Sequence, residues 1–118
     1  MSLLLGAHMS IAGSLDQAFE RGEKAGCTAM QIFTANASRW QGKPVTQEAA
    51  AAFRDRWQTS PIGPVFAHDS YLINLASQDA KLWEKSIRAL HDELQRCDML
   101  GLAGVVMHPG AHLGTGEE

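Results

Sequence analysis

The sequence predicts an α/β fold in which helices cover a parallel sheet. Three observations carry that expectation. Short apolar runs alternate with helical patterns, Gly or Pro punctuates nearly every switch, and the strand-like runs are apolar on both faces. The resulting order is β-α-β-α-β-α-β with short connections.

The first run, Leu3 to His8, is apolar and stops at Ser10-Ile11-Ala12-Gly13. A helix is expected from about Ser14, which has capping-box spacing to Gln17. Leu15, Ala18, Phe19 and Gly22 share one face, and Gly26 occupies the stop position. Thr28 to Thr34 reads as a second buried strand. The polar loop Ala35 to Pro44 leads to a second helix capped at Thr46, with an apolar stripe of Ala50, Phe53 and Trp57 and Val45 folded back onto its first turn. Ser60-Pro61-Ile62-Gly63-Pro64 breaks that helix. Pro64 can open a strand but not sit within its ladder, so Val65 to His68 is the third strand.

A long third helix is expected over Gln78 to Leu100, where Trp83, Ile87, Leu90 and Leu94 recur in steps of four and three as one buried stripe. Gly101 closes it, and Gly104 to His108 is the fourth strand, ended by Pro109-Gly110. The Gly-rich, acidic tail from Ala111 to Glu118 has no element of its own. Two architectures accommodate this order: a doubly wound open sheet, or the first half of a (β/α)8 barrel. A whole barrel needs about 250 residues, so the 118 residues here suit four of its eight units. Periodicity leaves both open.

Hydrophobic residues make up 45% of the chain and charged ones 19%, an ordinary globular balance. No run of about 18 apolar residues is present, which excludes a transmembrane helix, and no membrane partner is expected. The opening residues lack a basic segment and a long apolar one, so no signal peptide is read and a cytoplasmic location is expected. Cys27 and Cys97 lie far apart without metal-ligand spacing, and are read as reduced, buried thiols. The net charge of -3 argues against a broad basic face for nucleic acid. Bound cations could supply that field instead, so the charge decides nothing.

The histidines are more informative. His91 falls among charged neighbours within the third helix and is read as solvated. His8, His68 and His108 each end a different strand, and His112 follows four residues after His108. In parallel α/β folds the carboxyl ends of the strands meet on one rim, where sites are built. Imidazole is a common zinc ligand, and three of them on one rim could share a site. A histidine at a strand end is also a frequent structural residue, and the residues alone stop at a metal site weighed evenly against that reading. The glycines from Gly110 to Gly116 lack a phosphate-loop Lys, and Ser70 lacks a nucleophile elbow.

Four stretches resemble one family. Gly6-Ala7-His8-Met9-Ser10-Ile11-Ala12-Gly13 resembles the opening of endonuclease IV, the family-2 apurinic/apyrimidinic endonucleases. Gln31-Ile32-Phe33-Thr34-Ala35-Asn36 with Trp40 is similar to its second-strand segment. His68-Asp69-Ser70-Tyr71-Leu72-Ile73-Asn74-Leu75 and His108-Pro109-Gly110-Ala111-His112-Leu113 resemble two of its most distinctive stretches, all in the family's order.

The resemblance implies a (β/α)8 TIM barrel, of which residues 1–118 are the amino-terminal half. It also implies three zinc ions on the rim and cleavage of duplex DNA 5′ to abasic sites, leaving a 3′-hydroxyl and a 5′-deoxyribose phosphate. His68 and His108 match zinc ligands, and His8 matches a rim histidine behind them. Asn36, Tyr71 and Leu72 match loop residues that contact DNA, the latter two entering the minor groove at the lesion. Where the family commonly has Lys-Asn-x-Arg before Trp40, Ala35 replaces the lysine and Ser38 stands at the arginine. Arg39, one place on, is the candidate replacement. Ser14 stands where a glycine is often found. The family's other ligands are expected beyond Glu118, so the 118 residues alone are expected to be inactive. The alternatives are a non-catalytic half-barrel that self-associates through its open edges, and a xylose-isomerase-like sugar isomerase or epimerase.

Overall fold

The computed structural model describes residues 5–36, 38–41 and 43–108. Its elements are β1 (Gly6–His8), α1 (Gln17–Lys24), β2 (Ala29–Ile32), α2 (Gln47–Gln58), β3 (Val65–His68), α3 (Ala80–Leu100) and β4 (Gly104–Val106). The four strands form one sheet in the order β1-β2-β3-β4, and every pairing is parallel. A doubly wound sheet reverses its strand order at a switch point, whereas a barrel adds each strand beside the last. Sequential order therefore decides between the two architectures in favour of the barrel. No helix of the described residues is long and apolar enough to cross a membrane.

The core lies between the helices and one face of the sheet. Met30 and Ile32 of β2 and Val65 of β3 point into it, meeting Ala18 and Phe19 of α1, Ala50 and Phe53 of α2, Ile62, and Leu100 of α3. Phe19 and Phe53 are fully buried with ring centroids 4.8 Å apart. Burying each such ring contributes roughly 1.5–3 kcal/mol. Alternate residues face the other way: Gln31 pairs in register with Phe66, which is 38% exposed. That second face would be the inside of a complete barrel.

Local signals behave unevenly. The Thr46 hydroxyl caps α2 by accepting from the Ala49 amide at 3.0 Å. Gly26 and Gly101 take the left-handed conformation at the ends of α1 and α3 (φ 78° and 72°), where a side chain would be strained. Both cysteines are buried and free, and His91 is exposed. The expected capping box does not form. α1 begins at Gln17 behind Asp16, whose side chain makes no cap, and Ser14 contributes only its carbonyl to the Gln17 amide. Gln17 Oε1 instead accepts from Arg21 at 3.1 Å, so the glutamine is taken by the next turn of its own helix.

The larger correction concerns α3. The buried residues are Ser86, Ala89, Glu93, Cys97 and Leu100, while Trp83, Ile87 and Leu94 are 45%, 42% and 51% exposed. Both sets have helical spacing, and counting apolar residues favours the wrong one. Ser86 and Glu93 turn inward because partners wait there: the Asn74 amide for one, Thr34 and Arg96 for the other. Hydrogen-bonded polar groups can occupy an interior that unpaired ones could not.

Candidate functional site

Three strands deliver a histidine to the same rim. His8 ends β1, His68 ends β3, and His108 lies just beyond β4. The His68 and His108 ring centroids are 5.4 Å apart, and His8 stands 6.5 Å from His68. Phe33, immediately after β2, packs against both, with its ring 4.5 Å from His8 and 5.5 Å from His68. The two residues expected to bind metal thus converge, and an aromatic ring packs beside both His68 and His8.

Hydrogen bonds set the ring orientations. His68 Nδ1 donates to the Asp69 carbonyl at 2.8 Å, which leaves Nε2 as the ring nitrogen not engaged by that bond. Imidazoles that bind metal characteristically donate their other nitrogen in this way. His8 Nδ1 accepts from Gln31 Nε2 at 2.9 Å. Enclosure of its ring, and then the charge on His68, hold His8 below the ordinary histidine range. A neutral ring tied to Gln31 suits a supporting place behind the ligands.

Asp69 is 3% exposed, and its Oδ2 has no hydrogen-bond partner among the described residues. Burial, opposed by His68, pushes its carboxyl above the usual carboxylate range. An orphaned buried oxygen beside two converging imidazoles is the chemistry of a cation site. Among the described residues, no group of three His, Cys, Asp or Glu side chains is placed to hold a metal ion by itself. His68 and His108 therefore fit as part of a ligand set. His112 lies outside the described residues.

Two loops flank this rim. The one after β2 carries Asn36 and Arg39, both exposed. Asn36 Oδ1 accepts from the Ser38 amide at 3.0 Å and the Ser38 hydroxyl at 2.7 Å, closing a turn just before Arg39. In the loop after β3, Tyr71 is 73% exposed, with its ring 5.4 Å from Phe33, and Leu72 is half-buried. An apolar side chain with an exposed aromatic neighbour suits insertion into a deformed duplex. The sequence singles out all of these loop residues. It leaves unseen the parts played by Phe33, Gln31 and Asp69, of which Asp69 has a visible signal as a carboxylate directly following a strand-end histidine.

Residues 19–118 match the family described as xylose isomerase-like TIM barrel. The probable endonuclease 4 of Geobacter sulfurreducens is 48% identical over 118 residues, all of this chain and 40% of that relative. The crystal structure of endonuclease IV from Thermus thermophilus superposes with a TM-score of 0.83 at 37% identity, covering 90% of this chain and 40% of that one. A D-psicose 3-epimerase solved in the presence of D-fructose gives a TM-score of 0.67 at 14% identity, covering 89% of this chain and 37% of that one, a likeness of fold alone. The chain thus spans about 40% of the length of the curated relatives it matches. Its unreversed parallel sheet and these likenesses agree: the chain belongs to the xylose isomerase-like TIM-barrel family.

Proposed function

We propose that these residues form the amino-terminal half of the active rim of a zinc-dependent DNA-repair nuclease that cleaves 5′ to abasic sites. The supporting observation is the convergence of His68 and His108 at 5.4 Å, with His68 Nδ1 committed to a main-chain carbonyl. Zinc on such a rim, three ions in the complete barrel, would supply a hydroxide at neutral pH and positive charge for the entering and leaving phosphate oxygens. His68 and His108 present nitrogen ligands, and His8 with Gln31 supports them from behind. Arg39 and Asn36 meet one side of the duplex, while Tyr71 and Leu72 wedge into it at the lesion. An abasic nucleotide lacks stacking and pairing, so turning it out costs less than flipping an intact base. Products with a 3′-hydroxyl and a 5′-deoxyribose phosphate complete the reading.

The 118 residues alone are inactive on this view, because two imidazoles are too few for three ions. The test uses the full-length protein on a duplex with one abasic site. Incision 5′ to the lesion should vanish in His68→Ala together with part of the bound zinc, measured by metal analysis. Incision and metal content unchanged in that variant would refute the assignment, and robust cutting by residues 1–118 would overturn the inactivity of the half-barrel alone.

A second reading rests on exposed apolar surface. Leu5, Phe66 and Val106, and on α3 Trp83, Ile87 and Leu94, are all substantially exposed. This reading makes the chain a non-catalytic half-barrel that self-associates to cover those surfaces and the open sheet edges. Light scattering that finds a monomer counts against it. A sugar isomerase or epimerase has only the shared fold behind it, and product analysis separates it from the nuclease.

A further inference from the structure

The polar groups buried by α3 lie outside the histidine cluster, and the nuclease reading gives them no work. Thr34, 4% exposed, follows β2. Its hydroxyl donates to Glu93 Oε2 at 2.7 Å and accepts from Arg96 Nε at 2.9 Å, while an Arg96 terminal nitrogen donates to the same Glu93 oxygen at 2.5 Å. Six residues on, Trp40 lies under the Lys85 ammonium at 5.8 Å. The segment bearing Asn36 and Arg39 is therefore held to α3 at both ends. The loop after β3 is held by the same helix: the Asn74 amide donates to fully buried Ser86 Oγ at 2.9 Å. A narrow crevice lined by Thr34, Asn36, Arg39, His68, Glu93 and Arg96 connects these contacts to the rim.

A buried carboxylate and its partly buried guanidinium carry a desolvation cost that an apolar stripe avoids, so stability is a poor reason for them to be there. Geometry is a better one. Arg and Glu offer directional hydrogen bonds that pin one loop conformation. We propose that Thr34, Glu93 and Arg96 are positioning residues, a polar clamp on α3 that fixes the loop after β2 so that Arg39 meets the duplex. This rests on the nuclease reading. The Asn36–Ser38 turn inside the clamped segment then sets the direction in which Arg39 leaves the loop.

Thr34→Val keeps the side-chain volume and the Glu93–Arg96 pair but removes both hydroxyl bonds. In the full-length zinc-loaded protein, KM for an abasic duplex should rise about 5–10-fold, the scale of one lost hydrogen bond to the duplex, with kcat and zinc content unchanged. Thr34→Ser should restore the wild-type KM. In an Arg39→Ala background Thr34→Val should add nothing further, since both changes act through one contact. A fall in kcat at constant KM, loss of zinc, or an equal-fold effect in both backgrounds would overturn the clamp. Arg96→Lys, which keeps the charge but loses the Nε bond to Thr34, carries the same test should Thr34→Val fail to fold. Amide exchange over residues 34–41 without DNA makes the two readings separable. Wild-type protein that never incises abasic DNA refutes the nuclease, whereas exchange unchanged in Thr34→Val refutes the clamp.

Discussion

The two long helices lie side by side yet bury different chemistry. α2 turns Ala50 and Phe53 into the core and leaves its polar residues outside. α3 does the reverse over part of its length, burying Ser86 and Glu93 and exposing Trp83, Ile87 and Leu94. The difference separates a helix that packs from a helix that also holds loops. α2 obeys the amphipathic rule because its polar contacts, Arg54 to the Met99 carbonyl and Arg56 to Glu23, lie at its margins, and only the Trp57 indole nitrogen reaches carbonyls beneath it. α3 departs from it where Thr34 and Asn74 arrive from the rim loops with polar groups to satisfy.

The comparison can be broken most forcefully at the cores of the two helices. Phe53→Ala should cost about 3–5 kcal/mol, as truncations of buried aromatics do, read as a lower urea midpoint at unchanged slope. On α3, Arg96→Met should cost about 3 kcal/mol because Glu93 is left buried and unpaired. Adding Glu93→Leu should recover most of that loss. A double variant as unstable as the single would mean that the pair provides cohesion, and the contrast with α2 would fail. Smaller effects sharpen the contrast. Thr46→Ala and Asp79→Ala should each cost about 1 kcal/mol in thermal unfolding, because both residues cap their helices by the same local chemistry. Least of all, Leu94→Gln should shift the stability of the 118-residue chain by under about 0.5 kcal/mol. A clearly larger loss would show that this exposed leucine is covered in solution.

What the sequence made legible follows the range of each interaction. Gly101 stops α3 and Thr46 starts α2 by bonds made within a few residues, and both roles can be read directly. The strand-end histidines were legible because Pro109-Gly110 and the turn after His8 mark where strands stop. Ser14 misled because the capping spacing was present while Gln17 had a nearer partner in Arg21. The rotation of α3 could not be read locally. Glu93 meets Thr34 across 59 positions, and Arg96 meets it across 62, so nothing in the helix itself announces which stripe faces inward. Phe33 reads as one more strand residue, and its packing against both His8 and His68 exists only once β1, β2 and β3 are side by side.

One bond at the rim has a wider consequence. The group that receives the Nδ1 proton of His68 is the peptide oxygen of the very next residue, not a side chain. Every amino acid carries that oxygen, so the ring's tautomer is encoded in the path of the main chain and survives any replacement at position 69. The Asp69 carboxylate, whose Oδ1 lies 3.7 Å from the same nitrogen, therefore adds charge beside the ring without being its hydrogen-bond acceptor.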